Sequence, residues 1–344
     1  MPRETDLIVK GTRKAFPEDK GIKEGEQLKT GDTFPAPSQQ PEKSKEETAP
    51  EKCQEIYNRL FEFVKGVMEA ARAENSFSLE QGSKVISEIL KDPNMPDCLY
   101  ANTFAYQNPG DLLVYHSINV FIYSAKVGLA LGYYGRQLLE LGLAATLHDV
   151  GMTKVPEEII KKSNLLSDEE LSSIKKHPIY GHEIIMNLGK EYMWLAEVVL
   201  QEHEREQGQG YPKGLKDDQI HEYAKIIGMA DVYEALTHPR PHRREAIPYD
   251  AMQEMKALFS PRILKALVIQ LTIYPPGCYV KLNSNVIARV IAVNPDSPLR
   301  PTIEAVCDSQ GRPSEPGRVI NLSREPFLHI VECVHQEDLP HSTS

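Results

Sequence analysis

Residues 138–156 read LLELGLAATLHDVGMTKVP, a helix-length apolar run that ends on His148 and Asp149. Sequence this apolar belongs in a protein interior, and two ionisable residues at its end need partners, because an unpaired buried charge is very costly. The pattern recurs along the chain. His203 follows WLAEVVLQE and Asp231 follows AKIIGMA, while His116, His177 and Glu202 lie in or beside similar sequence. Metal coordination satisfies imidazole and carboxylate together, and a set without thiolate suits iron, manganese, cobalt or nickel. Asp149, adjacent to His148, is the natural bridging residue. Two divalent ions roughly 3.5–4 Å apart would share a hydroxide that attacks phosphorus in a clamped phosphodiester. Any one of these residues is a weak signal, since a lone histidine beside an apolar run is more often a core or capping residue. His221, His238, His329 and His341 are read that way.

The rest of the composition sets bounds. The chain has 344 residues, 41% of them hydrophobic and 26% charged. That supports roughly two domains and a buried core without staples. A net charge of −10 argues against polymeric nucleic acid as the main partner, because a phosphate backbone calls for clustered cations. It leaves room for a small phosphate ligand. The five cysteines are scattered and never form a CxxC pair, so they read as free thiols in a reducing compartment. No signal-peptide core opens the chain. The apolar stretch from Ile118 to Leu131 is too short for a membrane span and contains Lys126. A cytoplasmic chain is expected.

Four regions follow from the patterning. Residues 1–52, including PAPSQQPEKSKEETAPEK, are too polar to offset ordering entropy and read as a disordered leader. Residues 53–105 hold an N-terminal helical segment, with Ile56, Leu60, Phe63, Val64 and Val67 at helical spacing and a second helix over Ser78–Leu90. This pair could form a homodimer contact or simply pack on the core. Residues 106–272 are helical throughout, and SDEE from Ser167 signals a helix start. Residues 273–338 change character: CYVKL, VIARVIAV, TIEAVCD, RVINL and LHIVECV alternate between turn residues, predicting a small antiparallel sheet. The fold class is mainly α, a helical core with a C-terminal β extension.

Taken in order, LLELGLAATLHDVGMTKVP, KKHPIYGHEII, LQEHEREQGQGYPKGL and AKIIGMADVYEALTHPRPHR resemble the HD-GYP family of metal-dependent phosphohydrolases. The resemblance covers roughly residues 110–272 and continues into YPPGCYVKLNSNVIARVIAVNPDSPLRPTIEAV, similar to an extension that often follows that domain. It implies an all-helical HD-type core, two or three iron- or manganese-like ions, and hydrolysis of the bacterial second messenger cyclic di-GMP to the linear dinucleotide or GMP. Metal ligands implied position by position are His116, His148, Asp149, His177, His203 and Asp231. Gly210, Tyr211 and Pro212 match the GYP signature, a loop beside the active site implied to bind substrate through Tyr211 or to meet a signalling partner. Arg240 and Arg243 fall where the family grips guanine or phosphate, tasks suited to a guanidinium.

Four positions depart from the pattern. The lysine of the HDxGK motif is Met152, and losing a cation beside the scissile phosphate costs roughly two to three powers of ten in rate. Lys154 reaches the site only if its loop bends differently. The first histidine of the HHE motif is Glu202, which can still ligate a cation. The aspartate of DGxGYP is Gln207. The acidic residue that precedes His116 by four positions in three-metal members is Leu112, and Asp111 would point about 100° away on a helix. Two ions are therefore the expected maximum, with His148, Asp149 and Asp231 at one and His177, Glu202 and His203 at the other. Alternatives are an impaired module that serves as a cyclic di-GMP receptor or protein-interaction domain, and an HD phosphohydrolase acting on another nucleotide.

Overall fold

LLVYHSINVFIYSAKVGLA, residues 112–130, is apolar on every side, and a helix of that kind must be surrounded by protein. In the computed structural model it is the central helix, with every residue from Val114 to Gly128 buried. The structure describes residues 49–101, 103, 109–162, 166–238, 248–271, 274, 276–294, 296–314, 318–334 and 339. Twelve α-helices occur among them: α1 (Ala49–Arg72), α2 (Glu80–Lys91), α3 (Met95–Ala101), α4 (Leu112–Ala130), α5 (Gly135–Leu147), α6 (Glu157–Ile160), α7 (Asp168–Ile174), α8 (His177–Met186), α9 (Met193–Gln201), α10 (Glu222–Thr237), α11 (Pro248–Met255) and α12 (Pro261–Gln270). Helix α4 is the one described helix long and apolar enough to cross a membrane, and it is mostly buried inside the protein. The leader expected over residues 1–52 lies outside the described residues up to residue 48.

Around α4 pack α1, α3, α5, α10 and α12. Helix α1 buries Cys53, Ile56, Leu60, Phe63, Val64 and Val67, a stripe at spacings of three and four that faces inward. The N-terminal pair thus docks on the main core, α1 against α4 and α2 against α5. Helix α7 starts as SDEE predicts: the Ser167 hydroxyl accepts from the Glu170 amide and the Glu170 carboxylate accepts from the Ser167 amide.

The reading of all five cysteines as free thiols is corrected. Cys53 on α1 and Cys98 on α3 are joined as a disulfide across a Cα–Cα distance of 6.3 Å, while Cys278, Cys307 and Cys333 are free. The two are 45 residues apart, and the packing of α1 and α3 against each other and against α4 makes them neighbours.

After α12 come five strands, β1 (Tyr279–Leu282), β2 (Ile287–Ala292), β3 (Thr302–Cys307), β4 (Val319–Asn321) and β5 (Ile330–Val334). They form one antiparallel sheet in the order β4-β3-β2-β1-β5. Residues alternate between buried and half-buried along β3, as one packed face requires. Val280, Leu282, Ala288, Val290 and Ile303 join the same apolar cluster as the helices.

If α1 is part of this core, Leu60→Ala should lower unfolding stability by about 3 kcal/mol, the usual cost of a Leu→Ala cavity. Exposed Glu62→Ala should change it by less than about 0.5 kcal/mol. Urea midpoints at constant m-value check both.

Candidate metal centre

Five of the seven predicted ligands sit at helix ends, and His116 and Asp231 project from within helices. His116 lies on the second turn of α4. His148 caps the C-terminus of α5, and Asp149 opens the 3-10 turn Val150–Lys154 that follows. His177 begins α8, Glu202 and His203 follow α9, and Asp231 projects from α10. His116, His148, Asp149, His177 and Glu202 are buried, and His203 and Asp231 half-buried. Helix ends are the natural places for such groups, because a ligand there can face inward without interrupting a packed apolar face.

The seven residues converge into two groups that share Asp149. In the first, His116 Nε2 lies 3.2 Å from His148 Nε2, 3.4 Å from Asp149 Oδ2 and 3.2 Å from Asp231 Oδ1. In the second, His177 Nε2 lies 3.1 Å from His203 Nε2, 3.2 Å from Glu202 Oε1 and 3.3 Å from Asp149 Oδ1. The two oxygens of Asp149 therefore face different groups. Nothing in composition or spacing alone required that division.

The outer ring nitrogens decide which lone pairs point inward. His148 Nδ1 donates to the Ala145 carbonyl (2.8 Å) and His177 Nδ1 to the Ile174 carbonyl (2.9 Å). Both carbonyls belong to helix C-termini, which lack intrahelical donors. His116 Nδ1 is held at 2.7 Å by Glu234 Oε2. With Nδ1 protonated, each Nε2 presents a lone pair to the centre, as a metal-binding imidazole requires.

Three features fit divalent cations. The Nε2 atoms of His116 and His148, and of His177 and His203, face each other at 3.2 and 3.1 Å, an arrangement that one shared cation per pair would satisfy. Glu202 is 0% exposed, and its Oε2 has no hydrogen-bond partner, a costly arrangement without a cation. Four carboxylates (Asp149, Asp231, Glu202 and Glu234) surround the imidazoles, matching the charge of two divalent ions. Without metal, protons take that role. Burial opposes charge on His116, yet the charge of Glu234 and hydrogen bonds from Asp231 and Glu234 raise it well above the usual imidazole range. Burial likewise opposes charge on His177, but Glu202 and Asp149 carry it to about 9. Burial would raise Asp149, but His148, His177 and His116 hold it below the ordinary carboxylate value.

Residues 105–260 match the family model described as "HD domain", and residues 279–342 match "KOW domain associated with HD domain". The chain is 32% identical over 188 residues to the cyclic di-GMP phosphodiesterase PA4108 of Pseudomonas aeruginosa, covering 54% of this chain and 45% of that protein. Residues 105–260 form an HD domain. The cyclic di-GMP phosphodiesterase PdeB of Borreliella burgdorferi is 29% identical over 224 residues, 63% of this chain and 56% of that one. The 3′3′-cGAMP-specific phosphodiesterase 3 of Vibrio cholerae is 33% identical over 135 residues, 39% of this chain and 29% of that one. The chain spans about half the length of the first two. The fold is also that of an HDG"Y"P protein from Bdellovibrio bacteriovorus, with a TM-score of 0.52 at 18% identity over 66% of this chain and 73% of that one.

The GYP segment of the HD domain is tied to the centre from both sides. Tyr211 stacks on His203 with ring centroids 4.7 Å apart and planes at 20°, and its amide donates to the His203 carbonyl. Gly210 lies so close to the His203–Arg205 backbone that a Cβ would sit 2.4 Å from the His203 carbonyl oxygen. Gly151 plays the same part in the HD motif, since a Cβ there would meet the His177 carbonyl oxygen at 2.0 Å. Glu204, buried, accepts amides from Lys213, Gly214 and Leu215 at 2.6, 3.1 and 2.9 Å and so closes the loop.

The departures are equally placed. Lys154 is turned away, its ammonium bound to Glu74 of α1. Asp111 stands just before α4 without a side-chain capping bond and pairs with Lys65 at 3.3 Å. Gln207 bridges to Lys216. Arg240 and Arg243 lie outside the described residues. His221 caps α10 by accepting from the Tyr223 amide, and His238 is buried with its Nε2 2.9 Å from the Thr103 carbonyl.

Sequence reasoning missed Glu234. It lies three residues after Asp231 on the same face of α10, is 0% exposed, and also accepts from Asn119 at 3.3 Å. Carboxylates that orient a ligating histidine typically contribute 10- to 100-fold in metal affinity. Glu234→Gln should therefore weaken Mn²⁺ binding by about 10-fold or more with helicity unchanged, as read by calorimetry and circular dichroism.

Metal binding should also release protons. Only a neutral imidazole coordinates, and His177 titrates near 9 without metal, so below that pH a cation must displace its proton. Apparent affinity should rise by about tenfold per pH unit for each proton displaced, up to about pH 9. Calorimetry at pH 7.5 in buffers of different ionisation enthalpy should count at least one proton released; a count of zero would contradict the geometry.

Proposed function

We propose that the chain is a metal-dependent phosphodiesterase that hydrolyses cyclic di-GMP at a dinuclear site bridged by Asp149. The observation that carries this reading is the division of the Asp149 carboxylate between two histidine–carboxylate groups. His116, His148 and Asp231 would hold one divalent ion and His177, His203 and Glu202 the other, with Fe or Mn favoured by nitrogen and oxygen donors without thiolate. Ions held there would supply Lewis acidity toward phosphoryl oxygens and would lower the pKa of a water so that hydroxide is available near neutral pH.

The chain's own residues do the positioning. Helix-end carbonyls and Glu234 keep the imidazole lone pairs inward, and Asp149 fixes the two half-sites relative to each other. Tyr211, stacked on His203, walls the second half-site and offers a flat surface to the nucleotide. Arg240 and Arg243 are assigned to guanine or phosphate, because a guanidinium forms bidentate bonds with both.

One observation favours a second reading, that of a cyclic di-GMP receptor with weak turnover. Met152 replaces a cation beside the scissile phosphate, and Lys154 is committed to Glu74. Relatives that differ between cyclic di-GMP and 3′3′-cGAMP make both dinucleotides necessary in the assay.

Protein purified anaerobically and loaded with Mn²⁺ or Fe²⁺ should turn over cyclic di-GMP faster than 3′3′-cGAMP. Asp149→Ala should be slower by at least about a thousandfold, since metal charge stabilisation is worth several kcal/mol and each 1.4 kcal/mol is a factor of ten. Wild-type turnover no faster than that of the variant, with tight binding and intact ligand recovered, would replace the enzyme by the receptor.

A further inference from the structure

Phosphodiester chemistry places negative charge on non-bridging oxygens, and cations aimed at that charge are among the strongest contributors to such sites. The HD-GYP resemblance puts a lysine where this chain has Met152, and a methionine brings no charge to that position. Four described cations near the centre can be compared. Lys154 is bound to Glu74. The Arg205 guanidinium donates to the Glu202 and Glu204 carbonyls at 2.9 and 2.8 Å and packs over the Phe259 ring. Lys213 lies 3.8 Å from Glu197.

Lys175 differs from all three. It is exposed, and among the described residues no carboxylate pairs with its ammonium. Its Nζ stands 5.6 Å from the centroid of the Tyr211 ring, and that ring stacks on His203, whose Nε2 is 3.1 Å from His177 Nε2. The backbone of Lys175 is fixed as the C-cap of α7, with its amide bonded to the Leu171 carbonyl, two residues before His177. Lys175 is thus anchored next to one candidate ligand and held over the aromatic wall beside another. A contact with an aromatic face leaves the ammonium N–H donors available, unlike a salt bridge.

We propose that Lys175 is a substrate-binding residue whose ammonium, held over Tyr211, contacts a phosphodiester oxygen of the bound nucleotide and takes the part of the lysine absent at Met152. The inference rests on the phosphodiesterase or receptor reading above and adds to it the group that meets the anion. A lysine suits this position because it is a compact charge on a flexible stem and can leave the ring face to follow the phosphate.

The test uses the full chain loaded with Mn²⁺ and cyclic di-GMP as the probe, measuring equilibrium binding, KM, kcat and bound manganese. Lys175→Met should weaken binding and raise KM by about tenfold, the usual scale of one hydrogen bond to a charged group. Manganese content should stay unchanged. Lys175→Arg should stay within about threefold of wild type, and exposed Lys176→Met should match wild type. The loss caused by Lys175→Met should shrink at 1 M salt, where exposed charges are screened. Equal binding and KM in wild type and Lys175→Met would overturn the proposal. So would loss of manganese in Lys175→Met, which would make the residue a support of the centre. Wild-type protein that neither binds nor hydrolyses cyclic di-GMP would overturn the parent reading, a result visible before any variant is made.

Discussion

The site depends on one buried carboxylate, Asp149, whose oxygens face two different groups of imidazoles. Around it are three further carboxylates and four histidines, most of them buried. Such a cluster is unstable as drawn unless cations or protons neutralise it. Glu234 and Asp231 beside His116, and Glu202 and Asp149 beside His177, favour the protonated imidazoles when no metal is bound. Divalent ions would supply that positive charge with Lewis acidity as well, so the same electrostatic demand that threatens the fold can serve catalysis.

The helical scaffold meets this demand through its termini. Carbonyls left free at the ends of α5 and α7 accept from His148 and His177 and fix their lone pairs inward. The 3-10 turn after Asp149 abuts the start of α8 with no room for a side chain at Gly151. That contact sets the separation of the two half-sites. The GYP loop is closed by Glu204 and braced on His203 by Tyr211, so the wall of the second half-site is built by the segment that carries one of its ligands.

Much of this was legible in the sequence. Polar residues beside apolar runs pointed to the seven candidate ligands, whose roles the HD-GYP resemblance implied, and alternation between turn residues located the five described strands. Ser167 and Glu170 announced the start of α7. Other features required the folded chain. Glu234 looks like any glutamate on a helix until α4 brings His116 against it, and the three amides that Glu204 accepts come from residues 213–215. Cys53 and Cys98 become partners only when α1 and α3 dock. The commitment of Lys154 to Glu74, across 80 residues of sequence, is likewise a tertiary fact, and it turns attention from Lys154 to Lys175.

The claim that Asp149 joins two metal half-sites is tested most directly by counting metal. Elemental analysis and native mass spectrometry of anaerobically purified protein should find two divalent ions per wild-type chain. Asp149→Ala should lose at least one of them and remain folded. One ion or none in the wild type, or two retained by Asp149→Ala, would contradict the bridged centre.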